Sequence, residues 1–355
     1  MTPLLDFLKP ELHGAPHLHH LSPPAAMPGG EIEVHGTHLG PNHSGVPTAS
    51  LGDTPAAIAL ARTSRATVRI PEGSISGDLV LHRNGASSNP LFARIAVPMA
   101  ENLHPVANPA VDANGRVFAT FSGSRGQQVP VSIFSIDRDF QIRPFVRELL
   151  NPTGLAFDRD GYLYTSSRAD GTIYRISPEG DASLFAEGLG IATGIAFDPA
   201  GNLYVGDRSG TIFKIAATSG QAGPRNIFVF ATLEPSMAAY HLAFNASGTL
   251  FVTGPTTSSN QVIHAIAPDG TTTVFYHGLG RAQGMAFDVE DNLYVAASLH
   301  GKRGIVRISP QREASLAVSG SNLVGLAFLE DGCAALATRD ALYHVALDIE
   351  GRRLA

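Results

Sequence analysis

The segment GLAFDRDGYLYT, residues 154–165, decides the fold, because its pattern returns along the chain. Near copies are GIAFDPAGNLYV from Gly194, HLAFNASGTLFV from His241, GMAFDVEDNLYV from Gly284 and GLAFLEDGCAALA from Gly325, and PAVDANGRVFAT from Pro109 fits the same frame. The starts lie about 40 to 47 residues apart, the length of a propeller blade. Each copy reads as a short apolar strand, a tight turn carrying Asp and Gly, and a strand bearing an aromatic residue. A third strand follows a variable loop, as in TIYRISPEG at Thr172 and TIFKIA at Thr211, and turns such as SPEG at Ser177 or APDG at Ala267 lead to a fourth. Four antiparallel strands make one blade, so six copies predict a six-bladed β-propeller over residues 98–355.

The stretch AENLHPVANPAVDANG from Ala100 aligns with AEGLGIATGIAFDPAG from Ala186, which spans a fourth strand and the first strand of the next blade. Residues from Arg94 to Ala100 therefore read as a fourth strand without a blade of its own. The last repeat ends soon after its third strand, ALYHVALD at Ala341, with a short tail holding Arg352 and Arg353. The N-terminal strand is expected to complete the last blade and leave no open seam.

The first hundred residues have another rhythm. After a tail over 1–15, the segment PHLHHLSPPAAMPGGEIEVHGTHLG gives a strand, a Pro-rich bend, a Gly29-Gly30 turn and a strand with Ile32 and Val34 inward. TVRIP at Thr67, GDLVLHRNG at Gly77 and LFARIAV at Leu91 add short strands at sandwich spacing. The "SP…PGG…I.V.G..LG" opening and "VRIPEG…G…V…NG..SN" second half resemble the IPT/TIG family, which implies an immunoglobulin-like β-sandwich over 16–97. The expected fold class is thus all-β, a sandwich followed by a propeller, with almost no linker between them.

The repeats resemble NHL and gluconolactonase-like blades. That resemblance implies a divalent cation in the central channel, held by a Glu early in the first blade and by Asn or Asp just before the blade-opening glycines, and hydrolysis of lactones. In this chain those positions hold Ala107, Thr153, Thr193, Gln283 and Val324, with Tyr240 where His241 replaces Gly. None is a carboxylate, and a hard cation needs several anionic or carbonyl oxygens. No cofactor is expected; calcium or another divalent cation would have to bind without the family's ligands.

Composition excludes other classes. With 44% hydrophobic and 16% charged residues, 355 residues can bury two cores. A net charge of −6 gives no field for nucleic acid. The start, MTPLLDFLKPEL, lacks a basic segment followed by an apolar one, and no apolar run is long enough to span a membrane; the expectation is a soluble, cytoplasmic protein, or an extracellular one if a signal has been removed. The sole cysteine, Cys333, lies in the apolar run CAALA and reads as a buried strand residue.

Turns such as DRDG, DPAG and NASG emerge on one face of a propeller, and the longer second-to-third strand loops on the other. The long-loop face is the expected binding face. Its loops carry Arg125, Arg168, Arg208, His300, Lys302, Arg303 and Arg339, with Arg281 on the connection entering the fifth blade, which suits an anionic ligand, or else a solvated surface paired with Asp170, Asp207 and Asp340. By alignment the residues at the channel mouth are Asn108, Thr153, Thr193, Tyr240 with His241, Gln283 and Val324. His241 is the only imidazole among them, serving either a ligand or a packed channel wall. His13, His17, His19, His20, His35, His38 and His43 enrich the start; His17 and His19 would share one strand face, as metal ligands or as exposed edge residues.

No nucleophile elbow, zinc-protease motif or phosphate loop is present. The reading that follows is a non-enzymatic module binding a small anionic or polar ligand, or a protein or glycan partner. A lactonase-like hydrolase or lyase with relocated catalytic groups is the alternative, and a scaffold whose TIG domain binds a protein or glycan is a third. The absence of Trp removes one sugar-stacking platform, leaving Tyr240 and Tyr276.

Overall fold

A computed structural model of the chain describes residues 14–41, 45–124, 126–218, 221–256 and 261–352. The chain divides into two compact units, one of residues 1–97 with 316–321, the other of residues 98–315 with 322–355. Both are built from β-strands; among the described residues the only helical element is a single 3-10 turn at Glu330–Gly332. No helix among them is long and apolar enough to cross a membrane.

In the first unit the strands follow the hydrogen-bonded order His17–Ser22, Glu31–Thr37, Arg65–Arg69, Thr54–Arg62, Thr48–Leu51, Gly77–Arg83 and Leu91–Ile95. Alternation decides which side chains meet. Ile32 and Val34 from the second strand, Val68 from the third, and Leu79 and Leu81 from the sixth are fully buried and share one cluster with Leu18, Leu51 and Ile95. Ala25 and Ala26 lie parallel both to Arg94 and Ile95 and to Val318 and Ser319, and Ser319 accepts the Met27 amide at 2.7 Å.

The second unit is a β-propeller. Five separate four-stranded sheets are present among the described residues. Four of them begin on the inner strands Ala110–Val111, Pro152–Phe157, Ala192–Phe197 and His241–Phe244. The expected six separate blades are corrected to this extent: the repeat opening at Gly284 forms Met285–Phe287, Leu293–Leu299 and Lys302–Ile308 but is not an isolated four-stranded sheet. The reason is that Ala314–Ser319, the strand that follows, ends in residues that pair with Ala25 and Ala26.

The fifth sheet has the order Val97–Glu101, Ala341–Ala346, Cys333–Thr338 and Leu323–Phe328, so a strand from the beginning of the propeller completes its last blade; the expected span from Arg94 is corrected, since Arg94 and Ile95 end the strand Leu91–Ile95 and pair with Ala25 and Ala26. Met99 and Ala100 pack there with Ala335, Ala337 and Leu342. Cys333 is half-buried rather than buried, and burial beside Asp331 and Asp348 raises its thiol pKa, away from reactivity.

The tight turns explain the recurring Asp. The Asp158 carboxylate accepts the amides of Asp160 at 3.0 Å and Tyr162 at 2.9 Å, and Gly161 supplies the positive φ of 83° that the turn needs. Asp112, Asp198, Asn245 and Asp288 each do the same for the residues two and four positions on.

Aromatic rings then join neighbouring repeats. Phe118, Tyr164, Tyr204, Phe251 and Tyr294 each meet a Phe of the next inner strand, at ring-centroid distances of 5.2, 4.9, 5.0, 4.9 and 5.1 Å to Phe157, Phe197, Phe244, Phe287 and Phe328. All five contacts are edge-on, the favoured approach of two ring quadrupoles.

Met99→Pro in the full chain will lower the melting temperature of the propeller, because it puts a proline into the closing strand and removes a buried side chain, a loss of about 2 kcal/mol or more. A melting curve superimposable on that of the unaltered protein would show that the last blade does not depend on this strand.

Candidate functional site

Within the propeller, residues from the inner strands of all six repeats line a central cavity of about 550 Å3. The ladders fix their register. Ala110, Ala156, Ala196, Ala243, Ala286 and Ala327 pair with Phe118, Tyr164, Tyr204, Phe251, Tyr294 and Ala335, so these six alanines are equivalent, and all line the cavity. Blades converge toward the axis, and only small side chains fit where they meet. The innermost strand of each separate sheet is paired with a strand on one side only, and side chains such as Asn108 and Ser166 take up some of the backbone groups on the other.

Two residues before each alanine the channel is at its tightest. A Cβ on Gly154 would stand 2.5 Å from the Thr193 carbonyl oxygen, and one on Gly194 would stand 2.3 Å from that of Tyr240. Gly284 and Gly325 occupy the same level, where a Cβ would meet Asn108 Oδ1 at 2.0 and 2.5 Å. The alignment grouped Asn108 with Thr153; the ladder register corrects this by one residue, placing Asn108 level with Gly154 and His241. Its side chain bridges the ring, donating to Met285 O at 2.7 Å and accepting from Leu326 N–H at 3.2 Å.

His241 is the one titratable side chain at this level. It is 4% exposed and lines the cavity, and no hydrogen bond to its ring is found among the described residues. Burial lowers its pKa to about 4, with no charged neighbour contributing. The imidazole is therefore neutral at ordinary pH and offers one donor and one acceptor.

The other residues expected at the channel mouth serve the fold. Thr153 and Thr193 are buried and do not line the cavity. Thr153 Oγ1 donates to Asn151 O at 3.2 Å, while Thr193 Oγ1 donates to Gly206 O at 2.9 Å and accepts the Tyr240 amide at 3.1 Å. Tyr240 is 2% exposed; its hydroxyl donates to Glu234 O, and burial beside Glu234 and Asp207 pushes its pKa up to about 12. Gln283 is half-buried, with its carbonyl accepting from Thr253 Oγ1 at 2.6 Å. Val324 is buried against the closing strand.

On the long-loop face two of the expected arginines are engaged by loop backbone. Arg168 Nη2 donates to Gly123 O at 2.9 Å, and Arg208 Nη2 donates to Met237 O at 2.6 Å, so both guanidinium groups cap loop carbonyls of adjacent repeats. Asp207 turns inward to accept the Ile191 amide at 2.7 Å. His300, Lys302, Arg303 and Arg339 are exposed, as is Arg281, and Arg125 lies outside the described residues. The cavity opens at the opposite mouth, among the tight turns. Asp112, Asp158, Arg159, Glu330 and Arg352 stand there, with Asp112 on Arg116 at 2.7 Å, Glu330 on Arg138 and Arg352 on Asp291 at 2.9 Å.

Among the described residues no three His, Cys, Asp or Glu side chains come together as a metal-binding group. At the positions where the family's cation ligands would fall no residue is a carboxylate, and Thr153, Thr193 and Tyr240 are buried and do not line the cavity, so this set does not fit a divalent ion there. On the first unit, exposed His17 and His19 lie 5.4 Å apart edge-on, and His20 stacks on His35 at 4.4 Å; His13 and His43 lie outside the described residues.

No protein-family model matches the chain, and no curated protein matches it. Solved structures do. A gluconolactonase from Xanthomonas campestris is similar at 15% identity and TM-score 0.59, over 72% of this chain and 90% of that one. An auxiliary nutrient binding protein from Bacteroides ovatus is similar at 10% identity and TM-score 0.54, over 94% and 98%. A Bacteroides thetaiotaomicron protein of unknown function is similar at 12% identity and TM-score 0.56, over 94% and 98%. At these identities the likeness is one of fold.

The sign of the His241 shift sets a pH dependence. The unfolded histidine takes up a proton near the ordinary value of 6.5 and the folded one only near 4, so the unfolded state binds more protons between those values. Stability from this residue is fully present above about pH 6.5 and is lost as pH falls toward 4, by on the order of 3 kcal/mol. His241→Gln will remove that part of the acid sensitivity, so denaturant midpoints of the two proteins will fall differently between pH 7 and 4. Parallel curves would show that His241 is not buried as a neutral ring.

Proposed function

We propose that this chain is a non-enzymatic binding protein whose propeller holds a small ligand and whose first unit is an immunoglobulin-like module of the IPT/TIG type. The observation that carries the reading is the cavity itself. It is enclosed by all six repeats and of a size typical for small-molecule sites. Its one deep titratable group has no acid or base beside it, and Asn108 is tied to backbone atoms. General acid–base catalysis requires a second group within hydrogen-bond reach of the reacting atoms. The similarity in fold to a protein named for auxiliary nutrient binding agrees with a binding role.

A second reading, a lactonase-like hydrolase, is favoured by the similarity in fold to a gluconolactonase. The positions at which that family's cation ligands would fall speak against it, since Ala107 and Val324 have no side-chain oxygen and Thr153 and Thr193 are buried away from the cavity.

The two readings separate by experiment. Under the binding reading, millimolar calcium leaves the melting temperature unchanged, because only a ligand that prefers the native state raises it. Hydrolysis of gluconolactone stays at the background rate. A calcium-dependent rise of several degrees together with lactone turnover would replace the binding reading with the enzyme.

A further inference from the structure

Resting on the binding reading, we infer that the ligand enters the propeller through the tight-turn mouth and is an uncharged small molecule with an apolar body and one hydrogen-bonding group, which reaches His241. The long-loop face, with its exposed cations, is then not the ligand site.

The walls argue for the apolar body. Between the level of His241 and the mouth, the cavity is lined by the six equivalent alanines and by Phe157, Phe244, Phe287 and Phe328. Ala243, Ala286 and Ala327 are half-buried and Ala110, Ala156 and Ala196 are buried.

Charge excludes an ionic group at depth. The charged residues lining the cavity, Asp112, Asp158, Arg159, Glu330 and Arg352, belong to the turns and to the terminal segment at the mouth. Asp112 is held by Arg116, Glu330 by Arg138 and Arg352 by Asp291, and Arg159 donates to Pro199 O. A carboxylate or ammonium drawn down to His241 would lose its hydration without gaining a counterion, which is costly, whereas a hydroxyl, amide or ester group loses far less.

His241 supplies the polar contact. Glycine stands at its level in four other repeats, and the side chain of Asn108 is consumed by Met285 and Leu326. A neutral imidazole without a protein partner is an unmet donor and acceptor, and a ligand group that satisfies it is bound with direction as well as by burial.

The entrance is framed by the segment that follows the last strand. Glu350 O accepts the Val289 amide at 3.0 Å and Arg352 N–H donates to Phe287 O at 2.9 Å. Gly351 lies so close to Phe328 that a Cβ there would be 2.0 Å from its Cβ. The segment therefore borders the opening on the side of the fifth and sixth repeats.

The test uses two uncharged probes, N-phenyl-1-naphthylamine, which carries one N–H donor, and naphthalene, which carries none. Fluorescence titration of the full chain should show saturable uptake of both, one molecule per chain. Ala286→Phe and Ala243→Phe, each checked for an unchanged circular dichroism spectrum, should weaken both probes by about tenfold or more, since the added ring occupies the ligand's volume. His241→Leu should weaken the amine probe by about fivefold while leaving naphthalene within about twofold. The pair Arg168→Ala and Arg208→Ala should change neither.

If folded Ala286→Phe and Ala243→Phe proteins bind both probes as the unaltered protein does, the channel is not the site and the inference fails while the binding reading stands. Uptake that is lost in the arginine pair but kept in the alanine variants returns the site to the long-loop face and overturns it likewise. No uptake of either probe also overturns it. Failure of the binding reading itself is read separately, as lactone turnover with calcium stabilisation.

Discussion

The edge-to-face ring pair between consecutive repeats is the contact on which the rest of the propeller depends. Each pair joins the aromatic of one second strand to the Phe of the next inner strand, as Tyr164 does with Phe197. Each is worth about 0.5–1.5 kcal/mol beyond the area it buries, and its geometry sets the spacing of the blades. Side chains alternate along a strand, so once Phe197 points back to the preceding repeat, its neighbour Ala196 must point forward, where it packs with Tyr240 and Leu242. The small residue at that place and the width of the channel are therefore two consequences of one contact.

The seam between the last and first repeats lacks this pair. Ala335 stands where other repeats carry the aromatic, and Val111 stands in place of the inner-strand Phe. Met99 from the closing strand and Phe140 fill the space, and Phe140 packs on His344 at 5.4 Å. On the axis, Asn108 replaces a ring contact with two hydrogen bonds to backbone, one to each of the preceding two repeats. The closing strand and this side chain thus do at the seam what stacking does elsewhere. Asn108 can reach across because Gly284 and Gly325 present no Cβ to block it.

Two charges of the long loops have a structural task that a local pattern does not reveal. Arg168 and Arg208 occur in equivalent loops of adjacent repeats, a repetition that suggests a convergent array. A loop on a propeller face, however, leaves carbonyls that no strand partner satisfies, and a long cationic side chain with several donors is the nearest group to cap them. Arg168 does so for Gly123 and Arg208 for Ser236 and Met237. The repetition records a recurring backbone requirement. Thr193 and Tyr240, polar residues at the start of the inner strands, were drawn into the same kind of service.

The sequence by itself determined the repeat, its turns and the closing strand. These are written in short-range signals: apolar alternation, the Asp and Gly of a four-residue turn, and a fourth-strand pattern near Ala100 with no blade before it. It also singled out His241, because a histidine in a column of glycines is visible without coordinates. The register of Asn108 was missed by one residue, since the first repeat has no glycine to anchor the alignment and only the pairing of Ala110 with Phe118 fixes it. Which turns border the cavity, and which polar side chains are held by backbone atoms, were decided by tertiary structure alone. Both depend on what stands opposite each side chain once six distant segments converge on one axis, and no spacing along the chain encodes that distance.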